Sequence, residues 1–206
     1  MTSIKIFVEG IADEKFIIDY LKNEYNYSIE KNGIIITNGW DSINSKEGSE
    51  AIINEMNKNS DNDGVNLLIF DSDNDFTQRK DDLTNWKTGK KVNFELFLWP
   101  NNKDNGDFEI LLENIINPIN KPILDCWDNY ENCLKQKQIP NRSAPLTTPA
   151  RKTKVYAYLE ALLGESKSQK KKIKEINRNY NEVEHWDLNS QYMNSFKSFL
   201  DTYFKR

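Results

Sequence analysis

The feature that most constrains the fold of this 206-residue chain is an alternation of short apolar runs with segments of helical spacing in its first hundred residues. The apolar runs, rich in β-branched and aromatic residues, predict strands at 4–8, 33–37, 65–70 and 92–99. The intervening segments place apolar residues at helical spacing and predict helices at 13–25, 47–58 and 77–88. This order predicts an α/β fold, a mostly parallel four-stranded sheet with helices on both faces.

Beyond Pro100 the pattern becomes helical. Helices are predicted at 107–116, around Trp127, at 151–163, at 167–179 and at 189–204, with a loop rich in Pro, Ser and Thr at 139–149. The chain has no linker long enough to require a second domain. We therefore predict one domain spanning 1–206, in which a helical extension (106–206) packs on an α/β core (1–105).

Composition narrows the classes of function. The longest apolar runs are shorter than the roughly 20 residues of a membrane helix, and a basic-then-apolar leader is lacking, so we expect a cytoplasmic protein with no membrane partner. Cys126 and Cys133 lie too far apart on a predicted helix to form a disulfide, and His185 is the single histidine. A zinc site or histidine-based catalysis is therefore not expected, and any chemistry must come from oxygen ligands.

The net charge of -4 is unevenly distributed. Residues 151–206 hold twelve Lys or Arg and seven Asp or Glu, a balance of +5, so residues 1–150 carry -9. An acidic first part argues against a protein that coats DNA, but it allows a local patch that binds polyanions. The basic run at 167–178 is such a patch or, as the simpler interpretation, a solvated helix face.

Acidic residues follow two of the predicted strands. Glu9 comes directly after the first strand, and Asp71 and Asp73 come after the third. Because the carboxyl ends of parallel strands form one edge of a sheet, these three carboxylates are expected to gather there, with Asp75 as a possible fourth. Such a cluster favours a hard cation, Mg²⁺ or Mn²⁺, bound through carboxylate and water oxygens. Gly10, after Glu9, would leave room for a ligand such as a phosphate.

Two other interpretations of these acids stay open. Aspartate is common in turns after strands, and acids are favoured in the first turn of a helix, so local structure alone could explain several of them. A calcium loop of the EF-hand type matches Asp71, Asp73 and Asp75 at its first three ligand positions. It fails at the sixth position, Phe76 instead of Gly, and at the twelfth, Asp82 instead of Glu.

The segments IFVEGIADEKFI (6–17) and LLIFDSDND (67–75), taken together, resemble the Toprim domain shared by topoisomerases, bacterial primases and overcoming-lysogenization-defect nucleases. The resemblance covers roughly the first hundred residues, and the later elements look like those of small stand-alone Toprim-like proteins. It implies a sheet of Toprim, Rossmann-like type. It also implies that Glu9 is a catalytic or metal-ligating residue and that Asp71 and Asp73 bind Mg²⁺. In the nuclease branch, the position of Asp13 can hold a second metal-ligating acid.

Four further residues are candidates for the same site. Asp104 and Glu109 flank Gly106 after the fourth strand, where the nuclease branch also supplies acids; the alternative for Glu109 is a solvent-facing acid near the start of a helix. Lys152 and Lys154 begin a predicted helix and could contact a phosphate; the alternative is that they are ordinary surface lysines.

Three hypotheses of function follow. The first is a Mg²⁺-dependent phosphodiesterase, nuclease or phosphoryl-transfer protein that acts on nucleic acid or nucleotides, with Glu9, Asp71 and Asp73 as its catalytic residues. The second is a catalytically silent module that binds a metal or phosphate and regulates or contacts a partner. The third is a phosphatase like the haloacid dehalogenases, with Asp71 as nucleophile and Asp73 as acid, although in that family the aspartates follow the first strand.

Overall fold

The computed structural model describes residues 3–30, 32–164 and 166–205. Its centre is an all-parallel sheet of four strands, β1 (Ile4–Val8), β2 (Ile34–Ile36), β3 (Val65–Asp71) and β4 (Glu95–Trp99). The strand order is β2-β1-β3-β4, so β1 and β3 are central neighbours. The predicted α/β class is confirmed, and the sheet is parallel throughout, in the Rossmann-like manner.

Helices follow each strand and continue to the end of the described chain. Those of the α/β part are α1 (Ile11–Tyr25), α2 (Gly39–Asn44), α3 (Lys46–Ser60) and α4 (Phe76–Lys90). Those that follow are α5 (Phe108–Asn114), α6 (Lys121–Gln136), α7 (Arg151–Leu163), α8 (Lys167–Ile173) and α9 (Asn194–Phe204). Short 3-10 turns lie at Pro118–Asn120, Glu175–Asn177 and Gln191–Met193.

The two faces of the sheet bury different helices, because successive side chains of a strand point to opposite faces. On one face, Phe7 and Leu68 pack in an apolar cluster with residues of α2, α3 and α4. On the other face, Ile6 and Leu67 share a larger cluster with residues of α1, α5, α7 and α9. The prediction of helices on both faces is therefore confirmed.

The C-terminal helix α9 reaches the sheet through aromatic contacts. The ring of Phe196 lies 4.7 Å from that of Trp99 and 5.1 Å from that of Phe97, measured between centroids. Phe16 of α1 joins the same group. The predicted extension is thus packed on the core by large buried side chains, each of which removes much apolar surface from water.

Some boundaries differ from the predictions. The helix expected at 167–179 ends at Ile173, and a 3-10 turn follows. The short helix α2 was not predicted, because its first residue is Gly39 and its N-cap, Asn38, is left-handed. Cys126 and Cys133 are free and exposed. In the part of the chain that the structure describes, no helix is both long and apolar enough to cross a membrane.

Candidate functional site

Glu9 and Asp71 lie side by side at the carboxyl ends of the two central strands. β1 and β3 pair in parallel up to Val8 and Ile69. Glu9 follows Val8 directly and Asp71 lies two residues beyond Ile69, so the pairing brings both to the same edge of the sheet. The backbone N–H of Asp71 donates a hydrogen bond to Oε1 of Glu9 over 2.9 Å. The backbone N–H of Phe108, at the start of α5, donates to Oδ1 of Asp71 over 2.9 Å. Each carboxylate therefore has one oxygen fixed by the backbone, while its second oxygen makes no hydrogen bond within the described chain.

The surroundings of this pair disfavour two negative charges. Burial raises the pKa of Glu9, and the hydrogen bond from Asp71 only partly opposes that shift. Burial also raises the pKa of Asp71 well above its ordinary value, and repulsion from Asp13, Glu9 and Glu109 adds to the effect. Two neighbouring, largely desolvated carboxylates favour either a bound proton or a nearby cation. The pair is thus chemically suited to bind a metal ion or to hold a proton.

Asp13 is buried directly behind the pair. Its Oδ1 accepts a hydrogen bond from Nε1 of Trp99 over 2.8 Å, and its Oδ2 accepts one from the backbone N–H of Gly10 over 3.2 Å. Burial raises the pKa of Asp13 to about 7, although the Trp99 bond works in the opposite direction. Both oxygens of Asp13 thus accept hydrogen bonds, one of which shapes the turn after β1, whereas Glu9 and Asp71 each keep one oxygen without a hydrogen bond within the described chain.

The glycine that gives Glu9 space is Gly39, which the sequence analysis did not single out. Gly10 has an extended backbone that any residue can adopt, and a Cβ there would be in ordinary contact, 3.5 Å from Oδ2 of Asp13. Gly39, the first residue of α2, has a φ of +84°, and a Cβ there would lie 3.1 Å from Oε2 of Glu9. A side chain at residue 39 would therefore be strained and would crowd the second oxygen of Glu9.

Asp73 stands at the same rim but is engaged by a cation. Its backbone has a φ of +53°, and its N–H donates to the carbonyl of Gly106 over 2.7 Å. Its carboxylate is 53% exposed and forms an ion pair with Nη2 of Arg79, a residue of α4. The guanidinium of Arg79 also lies over the ring of Trp40, 5.3 Å from its centroid. Sequence reasoning missed Arg79, since only the left-handed turn at Asp73 brings the two together.

Asp75 and Asp104 serve local turns. Asp75 is the N-cap of α4, where its side chain accepts a hydrogen bond from the backbone N–H of Gln78 over 3.0 Å. Asp104 is exposed in the loop after β4, where its side chain accepts from Nδ2 of Asn101 over 2.8 Å. Both side chains therefore make contacts typical of turns. For Asp75 this agrees with the turn interpretation given above.

Glu109, in contrast, does lie near the pair. It is among the acids whose charge raises the pKa of Asp71, and its own pKa is raised by burial and by neighbouring Asp107. Asp107 was not predicted as a site residue. It caps α5 through the backbone N–H of Ile110 at 2.9 Å and forms an ion pair with Arg151 at 2.6 Å. Its one sequence signal was an Asp immediately before an apolar helix.

The two candidate lysines are paired with acids of the C-terminal helical part. Nζ of Lys152 lies 2.5 Å from a carboxylate oxygen of Glu175. Nζ of Lys154 lies 3.0 Å from Glu113 and 2.9 Å from Asp128. Both lysines therefore act in the structure as partners of acids other than Glu9 and Asp71.

Within residues 3–30, 32–164 and 166–205, no group of three or more His, Cys, Asp or Glu side chains is arranged to hold a metal ion. Of the predicted ligands, Asp13 holds Gly10 and Trp99 through its two oxygens, and Asp73 is paired with Arg79. Glu9 and Asp71 still fit a magnesium ion. Mg²⁺ commonly uses only one or two protein carboxylates and completes its shell with water and substrate phosphate.

A protein-family model described as "Protein of unknown function (DUF3226)" matches residues 3–205. The chain belongs to this family. No curated protein and no solved structure matches the chain. The family description names no activity, so a function can be inferred only from the geometry of the site.

Proposed function

We propose that this protein is a Mg²⁺-dependent phosphodiesterase or phosphoryl-transfer protein of Toprim type that acts on nucleic acid or nucleotides in the cytoplasm. The observation that carries the proposal is the contact between Glu9 and Asp71, in which a backbone hydrogen bond of 2.9 Å joins the ends of the two central strands. The edge formed by the carboxyl ends of parallel strands is where open α/β sheets bind their ligands.

The chemistry needs a charge that opposes the buried acids. Mg²⁺ or Mn²⁺, held by Glu9 and Asp71, would neutralise phosphate oxygens and lower the pKa of a bound water. The raised pKa of Glu9 suits it to accept and return a proton through its second oxygen. Asp13 keeps the turn after β1 in place through Gly10, which holds Glu9 at the rim.

The charge of Arg79 is suited to help bind a phosphate substrate. It places a permanent positive charge close enough to lower the pKa of Glu9, and a guanidinium is well matched to phosphate oxygens. The negative balance of residues 1–150 makes such a local cation more necessary for a polyanionic substrate.

A second candidate function is a catalytically silent module that binds a metal or phosphate and regulates a partner. The ion pair between Arg79 and Asp73 favours it, since that pair occupies one of the expected metal ligands with a protein cation. Such a module would bind Mn²⁺ or a phosphate without turning a substrate over.

Calorimetry with Mn²⁺ and a hydrolysis assay test the two functions together. The assay uses a chromogenic phosphodiester, single-stranded DNA, RNA and a cyclic nucleotide as substrates. The variants are Glu9→Gln and Asp71→Asn, and the control is Asp81→Asn, the same charge change on an exposed residue of α4.

Metal-dependent hydrolysis that is lost in both variants and kept in the control supports the enzyme. Metal binding that is lost in both variants, without hydrolysis of any substrate by the parent protein, supports the silent module. Binding and hydrolysis that do not change in Glu9→Gln and Asp71→Asn reject a role of the pair in either function.

A further inference from the structure

Arg178 is a buried cation that lacks a matching anion among the described residues. The residue is 3% exposed. Its Nη1 donates to Oη of Tyr180 over 3.1 Å, and its Nη2 donates to the carbonyl of Ile173 over 3.2 Å. Its Nε is buried and has no hydrogen-bond partner within residues 3–30, 32–164 and 166–205. No Asp or Glu of the described chain lies within ion-pair distance of the guanidinium.

Such an arrangement is costly for a folded protein. An arginine keeps its charge at every physiological pH, and a buried charge without a counter-charge loses most of its hydration. The rings of Tyr156 and Tyr180 lie 5.2 and 5.8 Å from the guanidinium carbon, and these cation-π contacts offset part of the cost. Nearby Glu175 is already the partner of Lys152. Within the part of the chain that the structure describes, Arg178 therefore has hydrogen bonds and ring contacts but no ion pair.

A cavity of about 200 Å³ lies next to this cation. Besides Arg178, its lining includes Lys172 of α8, the side chains of Glu182 and His185, and Leu159 and Leu163 of α7. An arginine and a lysine thus line the cavity with one carboxylate, and two leucines supply an apolar wall. Burial lowers the pKa of His185, which keeps that ring neutral near pH 7.

We infer that this cavity binds a small oxyanion, with Arg178 and Lys172 supplying the opposite charge. A cavity of this volume favours a compact oxyanion, and inorganic phosphate and a short-chain carboxylate are the two probes of that class. A carboxylate would rest its apolar part on Leu159 and Leu163, whereas phosphate would leave them uncovered. The site is built by residues of 159–163 and 172–185 and does not depend on the function proposed for Glu9 and Asp71.

The full-length protein, labelled with ¹⁵N and kept in EDTA, is titrated with phosphate, with propionate and, at equal ionic strength, with chloride. EDTA prevents a divalent ion from linking phosphate to Glu9 and Asp71. The signal is the Nε–H resonance of Arg178 in the unaltered protein, which avoids a variant that might unfold the segment. Lys172→Gln tests the second cation, and its matched control is Lys171→Gln, the exposed neighbouring lysine outside the cavity lining.

A saturable shift of the Arg178 resonance with phosphate or propionate, absent with chloride, supports the inference, and the anion that saturates identifies the ligand class. Lys172→Gln should weaken that binding several-fold and Lys171→Gln should leave it unchanged. The inference is overturned if neither anion gives a saturable shift, if chloride gives the same shift, or if the two lysine variants weaken binding equally.

Discussion

Nε1 of Trp99 donates a hydrogen bond to Oδ1 of Asp13 over 2.8 Å, and this contact joins the aromatic core to the acidic rim. Trp99 ends β4, and Asp13 lies in the first turn of α1, so the bond connects two elements that are far apart in sequence. Asp13 in turn binds the backbone next to Glu9. The position of Glu9 thus depends on the packing of the core.

The stability of the metal-free protein should fall as the pH rises from about 4 to about 8. Asp13 has a folded-state pKa of about 7, above its ordinary value, and the pKa values of Glu9 and Asp71 are also raised. Because these pKa values rise on folding, the folded protein binds more protons than the unfolded chain over this pH range. The stabilisation from these groups is therefore fully present below their ordinary pKa values and is lost as the pH rises through their folded-state pKa values. Urea unfolding in EDTA should show a loss on the order of a few kcal/mol, because one pKa unit is worth about 1.4 kcal/mol.

Asp13→Asn should flatten this pH dependence, since it removes one of the titrating groups and keeps an acceptor for Trp99. A slope of the same size in Asp13→Asn would mean that the other carboxylates carry the whole effect.

Glu9→Gln should stabilise the metal-free protein at pH 7.5. The amide oxygen can still accept the hydrogen bond from Asp71, while the buried charge and its repulsion of Asp71 disappear. The free energy of unfolding, measured with urea in EDTA, should rise by about 1 kcal/mol. Glu50→Gln, on the exposed side of α3, should leave it unchanged. A destabilised Glu9→Gln protein would contradict the idea that this carboxylate is kept at a cost for function.

Arg79→Gln should tighten the binding of Mn²⁺. The substitution frees Asp73 from its ion pair and removes a positive charge near Glu9. Calorimetry should show a dissociation constant about tenfold lower, which corresponds to about 1.4 kcal/mol. The matched control is Lys80→Gln, the neighbouring cation of α4, which lies over Phe76. Equal changes in both variants would indicate a general effect of charge and not the release of Asp73.

Phe196→Ala should destabilise the whole chain. The ring is fully buried and touches those of Trp99 and Phe97, so its loss leaves a cavity between α9 and the sheet, at a cost of about 3–5 kcal/mol. Phe199→Ala, the same change at a half-buried position of α9, should cost less. If 1–206 is one domain, circular dichroism and tryptophan fluorescence should report a single coincident transition. Two separate transitions would show that the α/β part and the helical extension unfold independently.

The strands were predictable because each apolar run is short and bounded by polar or turn residues. The side that each strand residue faces also follows from alternation, as Ile6 and Phe7 show by joining opposite clusters. The short helix α2 was not predictable, since it depends on a left-handed Asn38 followed by a glycine. The end of α8 at Ile173 was missed because Ile173 and Ile176 have the spacing of a helix. In the structure Ile176 is exposed, and the backbone leaves the helix and buries Arg178.

The site, like the fold, has a part that the sequence predicted and a part that it did not. That Glu9 and Asp71 share one edge followed from their place after parallel strands, and the structure puts them in contact. Which way Asp73 points could not be predicted, because its direction is set by one left-handed residue and by an arginine on the next helix. The sequence predictions of metal binding and of activity stay predictions.

The contact of α9 with β4 also ties the acidic rim to the end of the chain. Trp99 donates a hydrogen bond to Asp13, and one side of its ring is covered by Phe196, which is translated long after Glu9, Asp13 and Asp71. A shortened chain that lacks α9 would lose this cover from the indole. Residues near both ends of the chain therefore shape the surroundings of Asp13, while the approach of Glu9 to Asp71 rests on the pairing of β1 with β3.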